Sequence, residues 1–76
     1  MPNEIQIQEI ECLIYFYYSC KLLPCTKRHF KRLIHRFGFS EVFECLEIAI
    51  NQYDNPKEVV DKIGGICYNR QQEKRG

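Results

Sequence analysis

Leu13-Ile14-Tyr15-Phe16-Tyr17-Tyr18 is the run on which the fold class turns. Aromatic and large aliphatic residues fill it, as they fill buried strands. A strand needs a partner, and nothing else in these 76 residues reads as a second strand. The wider stretch has a different period. Ile10, Leu13, Ile14 and Tyr17 fall at i, i+3, i+4 and i+7, the spacing of one helical face. Glu4 and Glu9 stand early, where a helix dipole favours acids. The run therefore belongs to a helix over about residues 4–19, and the expected fold class is all-α with no sheet.

The rest of the chain repeats this pattern. Pro24 forces a break, and Thr26 is placed to cap a second helix over about 27–37, with Phe30, Leu33, Ile34 and Phe37 at core spacing. Gly38 suits the end of that helix because glycine tolerates a left-handed backbone. Ser40 is the expected cap of a third helix, about 41–53. Phe43, Leu46, Ile50 and Tyr53 line one side of it, with Val42 and Ala49 beside them. Asn55 caps and Pro56 starts a fourth, about 56–70, because proline fits the first helical position. Its apolar stripe is Val59, Val60, Ile63, Ile66 and Cys67. Gly64-Gly65 weakens this helix unless it permits close packing, and the polar tail from Gln71 is expected to fray. No repeat or linker divides the chain, so residues 1–76 read as one small four-helix domain.

Composition is that of a globular chain, 45% hydrophobic and 28% charged. Met1-Pro2-Asn3-Glu4 lacks the basic segment and apolar run of a signal peptide, and no apolar stretch is long enough for a membrane span. Five cysteines, an odd number, argue against a disulfide scaffold and for structural thiols in a reducing compartment. The expected location is cytoplasmic.

A net charge of +1 hides strong patterning. Residues 1–20 carry −3, residues 21–37 carry +6, residues 38–61 carry −5 and residues 62–76 carry +3. On the second helix, Lys27, Lys31 and His35 form one row, and Arg28, Arg32 and Arg36 form the next. No acid interrupts either row. Like charges at i, i+4 repel, so a polyanion partner is an attractive explanation, with Lys27, Arg28, Lys31, Arg32 and Arg36 on phosphates. Lys62, Arg70, Lys74 and Arg75 would form a second patch. The competing reading is a merely solvated face, or pairing of the same cations with Glu41, Glu44 and Glu47 on the third helix.

The first helix is apolar nearly all round. Cys12, Tyr15 and Phe16 point away from the core arc, so they are either covered by the other helices or reach a second protomer. Tyrosines there could also stack on bases. Cys20, Cys25 and His29 approach zinc-ligand spacing but lack an evident fourth ligand, so no metal or other cofactor is expected. No Walker loop, dinucleotide motif or H-E-x-x-H pair is present, and the chain reads as a binding module rather than an enzyme.

Phe16-Tyr17, Pro24, Phe37-Gly38, Glu41-Val42, Glu44, Ile48-Ala49 and Gly65-Ile66-Cys67-Tyr68-Asn69-Arg70-Gln71 follow one another along about three quarters of the chain. In these features it resembles the DnaD-like replication-initiation module of bacteria and their phages. That family's last helix carries Y-x-x-x-I-x-x-x-W, associated with DNA binding. The matching positions here are Lys62, Ile66 and Arg70, so cations replace both aromatics. The resemblance implies a helical module that binds DNA or a replication protein, with phosphate contact rather than stacking from this helix. A module this short would suit a phage or mobile element acting in its host's cytoplasm. The alternative expectation is a protein-interaction module that regulates or inhibits a host or replication protein.

Overall fold

The computed structural model describes residues 4–75, and the side chains of residues 4–74. Four helices follow in order: α1 (Glu4–Tyr18), α2 (Pro24–Phe37), α3 (Phe39–Gln52) and α4 (Pro56–Arg75). No strand occurs among the described residues, as the helical period of residues 10–17 requires.

Helix ends follow backbone chemistry more than side-chain caps. α1 stops where Ser19 takes φ 56° and its N–H donates to the Tyr15 carbonyl. α2 begins three residues before the expected start. Pro24 occupies its first turn rather than breaking the chain, and the N-cap is Leu23, so Thr26 caps nothing. Gly38, at φ 91°, ends α2 through its N–H on the Ile34 carbonyl and also accepts from Val42 N–H to start α3. One residue thus serves both helices, and Ser40 lies inside α3 rather than before it. At α4 the expectation holds, since Asn55 Oδ1 accepts from Lys57 N–H at 2.8 Å.

All four helices feed one core. Ile7, Ile10 and Ile14 of α1 are buried with Phe30, Leu33 and Ile34 of α2. Val42, Cys45, Leu46 and Ala49 of α3 meet Val59, Ile63 and Cys67 of α4 in the same cluster. Two arcs are rotated from expectation. On α1 the inward line runs through Ile7, Ile10, Ile14 and the half-buried Tyr18, while Tyr17 is 56% exposed. The Tyr18 hydroxyl donates to the Tyr53 carbonyl at 2.7 Å, which fixes the rotation of α1 against the end of α3. On α3 the small residues Cys45 and Ala49 are fully buried, and Phe43, Ile50 and Tyr53 move to its margins.

α4 runs to Arg75, well past the expected end near residue 70. The reason lies in the ion pairs of its last turns. Arg70 donates to Glu41 at 2.8 Å and to Glu44 at 2.7 Å, and Lys74 donates to Glu41 at 2.7 Å. These contacts hold the polar tail against α3 instead of leaving it to fray. Among the described residues, no helix is long and apolar enough to cross a membrane.

Candidate nucleic-acid interface

α2 builds its two faces from one amphipathic pattern. Phe30, Leu33 and Ile34 enter the core, so the residues on the opposite side are forced outward. Arg28, Arg32, His35 and Arg36 are all exposed. Arg28, Arg32 and Arg36, four residues apart, form a row about 12 Å long. None of the three makes an ion pair among the described residues. Arg36 also lies over the Phe37 ring, 5.4 Å from its centroid.

Lys27 and Lys31 occupy the flank that faces α1. Lys27 Nζ lies 3.7 Å from Glu11 and Lys31 Nζ 3.4 Å from Glu4. Exposed pairs of this kind contribute about 0–1 kcal/mol and open readily. Both lysines therefore remain accessible to a stronger anion.

The acids of α3 do not neutralise this surface. Glu41 and Glu44 turn to α4, where Arg70 and Lys74 hold them. The hydrogen bond from Lys74, reinforced by Arg70, keeps the Glu41 carboxyl below the usual carboxylate range, although burial works in the opposite sense. Glu47 is exposed and forms no ion pair among the described residues. The pairing of α2 cations with Glu41, Glu44 and Glu47 is thus not the one the structure adopts.

The residues of the expected second patch lie apart from the α2 row. Arg70 and Lys74 face α3 carboxylates, Arg70 through a part-buried bond to Glu41 and an exposed one to Glu44, and Lys74 through an exposed bond to Glu41. Lys62 is exposed one turn before Ile66, on the flank of α4 that continues through Asn69 and Glu73 along the α3–α4 groove. The side chain of Arg75 lies outside the described residues.

On α1, Cys12, Tyr15 and Phe16 are exposed, with Phe16 at 80% and Tyr15 at 53%. The other helices therefore do not cover this face, which sets aside the first of the two alternatives for these residues and leaves them open to a partner. Cys12, Tyr15 and Phe16 share a shallow cleft with Glu11 and Lys21. Cys20, Cys25 and His29 line a groove between the start of α2 and the start of α4. No group of three metal-capable side chains converges there or elsewhere among the described residues.

The remaining thiols are structural. Cys45 and Cys67 are fully buried, and burial pushes both thiols up from their ordinary range. Sequence spacing placed both inside helices, and the structure adds that they meet across α3 and α4. No family model matches the chain, and neither a curated protein nor a solved structure matches it.

Proposed function

We propose that this chain is a nucleic-acid-binding helical module, in which Arg28, Arg32 and Arg36 contact phosphates and Lys27 and Lys31 join them. One observation carries the reading. The three arginines project from one exposed row without ion pairs among the described residues, while the nearest acidic helix spends Glu41 and Glu44 on α4. An uncompensated cationic row costs helix stability through i, i+4 repulsion, and phosphate contact would offset that cost. The role is binding, without catalysis. Its setting is DNA replication of a phage or mobile element in the host cytoplasm, a proposal that rests on the DnaD-like resemblance of residues 16–71. Arg70 is left out of the binding surface because Glu41 and Glu44 both hold it, Glu41 through a part-buried bond, and Lys74 because it shares Glu41 with Arg70 at the α3–α4 contact. Lys62 plays at most a separate part.

The test is a charge reversal that leaves the core alone. Arg28→Glu, Arg32→Glu and Arg36→Glu together should abolish binding to a labelled oligonucleotide in fluorescence anisotropy, with helicity unchanged by circular dichroism. Equal binding by the triple variant would move the site off α2.

A second reading has its own observation. Ile5, Cys12, Tyr15 and Phe16 are exposed along α1, and exposed apolar surface of this kind marks contact faces. It favours a protein-interaction module, with a homodimer through Cys12, Tyr15 and Phe16 as its simplest form. Light scattering on the wild type and on Phe16→Glu tests it, since a monomeric wild type at high concentration rules the dimer out.

A further inference from the structure

The aromatic end of α1 and the cationic face of α2 adjoin one another. Glu11 lines the same cleft as Tyr15, Phe16 and Lys21, and Glu11 is also the residue that Lys27 of α2 approaches at 3.7 Å. A ligand seated on the aromatic rings therefore comes up to Lys27, from which the exposed row opening with the next residue, Arg28, continues along α2. Phe16 leaves 80% of its surface in water, and the Tyr17 ring braces it at 5.2 Å and 81°. An aromatic ring held in this way and left open to solvent suits stacking by a flat partner. Lys21, exposed at the rim of the cleft, adds a cation beside the rings.

From this juxtaposition we infer that the ligand of the cationic face is a single-stranded nucleic acid, one or two of whose bases stack on Phe16 and Tyr15. The inference rests on the phosphate-binding reading of α2 and narrows it. A duplex keeps its bases stacked on each other and offers nothing to these rings. A single strand exposes its bases, and its phosphates match the cations that continue the surface onto α2. A second copy of the chain is the less favoured occupant. Ile5, Cys12, Tyr15 and Phe16 form the exposed apolar face of α1, and the exposed Glu9 borders it beside Phe16. Self-pairing along α1 would bring two Glu9 carboxylates to the rim of the seam, and α1 carries no cation to stand opposite them.

Binding of labelled oligothymidylate, oligouridylate and a hairpin duplex of equal phosphate count, its strands joined by a base-free linker, tests the inference. Tyr15→Ala, Phe16→Ala and Phe16→Leu provide the comparisons, with circular dichroism to verify folding. The expected result is tighter binding of the single strands than of the hairpin. Each substitution should weaken single-strand binding about tenfold, the usual loss for one stacked base. Hairpin binding and the salt slope should stay unchanged, because no phosphate contact is removed. Phe16→Leu keeps most of the apolar surface but loses the π face, so it should behave like Phe16→Ala. The two single strands separate DNA from RNA by their relative affinity, and either preference supports the inference. Equal affinity for hairpin and single strands with no effect of the substitutions overturns the stacking site and leaves the cationic face standing. Failure to bind any of the three overturns the reading of α2 itself. A wild-type dimer that Phe16→Ala converts to monomer assigns the ring to self-association and overturns the inference too.

Discussion

Replacing Gly64 and Gly65 with alanine should stabilise the protein. Both lie in the interior of α4, far from its ends. Glycine there costs about 1 kcal/mol relative to alanine, because the unfolded chain has more freedom to lose. Such a glycine is warranted where a Cβ would collide, or where the backbone needs positive φ. Neither condition holds here. A Cβ at Gly64 would sit 3.9 Å from Leu33 Cδ2, an ordinary contact, and one at Gly65 would meet nothing within 4 Å. Positive φ among the described residues is confined to Ser19 and Gly38. Gly64→Ala and Gly65→Ala should therefore each add about 1 kcal/mol, and the double variant about 2 kcal/mol. A domain of this size gains roughly 4–8 °C of melting temperature per kcal/mol, so the double variant should melt about 8–16 °C higher. Thermal and urea unfolding followed by circular dichroism at 222 nm measure it. Destabilisation by Gly64→Ala would refute the reasoning, because it would mean that α4 lies closer to α2 than the Leu33 contact allows. If Gly65→Ala raises the melting temperature but weakens ligand binding, that glycine is kept for a partner's approach.

Leu46→Ala should cost more than Leu33→Ala, about 3–5 against about 2–3 kcal/mol, because Leu46 is 0% exposed in the middle of the core and Leu33 is 8% exposed at its margin. Equal costs in urea titrations would misplace the centre of the core. In the native protein, Cys12 and Cys25 should react promptly with a thiol reagent and Cys20 more slowly, while the buried Cys45 and Cys67 should react only on unfolding. Fast labelling of all five would contradict the burial of the α3–α4 contact. Glu41 has its carboxyl pKa lowered by Lys74 and Arg70. Its contribution to stability should be full above about pH 4.3, the ordinary glutamate value, and be lost as the pH falls through the lower folded value. The acid limb of the stability curve should be shallower in Glu41→Gln than in the wild type, and parallel limbs would remove the ion cluster from the account.

Helix count and most of the core were legible because period and breakers agree along the chain. Phe30, Leu33 and Ile34 could be read from α2 alone, and so could the Asn55-Pro56 start of α4. What was not legible depends on tertiary choice. The run 13–18 is apolar all round, so periodicity could not say which ring turns inward. The Tyr18 hydroxyl, by reaching the end of α3, settles that and leaves Tyr17 outside. Helix starts at Pro24 and Phe39 escaped because backbone groups, not Thr26 or Ser40, make the caps. The cationic face of α2 was readable as a surface from its spacing. Its freedom from α3 was not, since the competition between Arg70 and the arginines of α2 for Glu41 and Glu44 is decided by packing of helices distant in sequence. A cation distribution written along the chain can point to Arg70 as a ligand for phosphate. Only the fold shows that its partners are already in place.

The salt dependence of single-strand affinity tests the central claim most directly. Three unpaired arginines at about 0.7 released counterions each predict a slope of log affinity against log salt near −2, and Lys27 and Lys31 bring it to about −3.5 if their pairs with Glu11 and Glu4 open. Replacing Arg28, Arg32 or Arg36 by Gln should each lower the magnitude of the slope by about 0.7, while Arg70→Gln should leave it unchanged. Absence of binding at the lowest salt, or a slope that responds to Arg70 and not to the row on α2, would contradict the account.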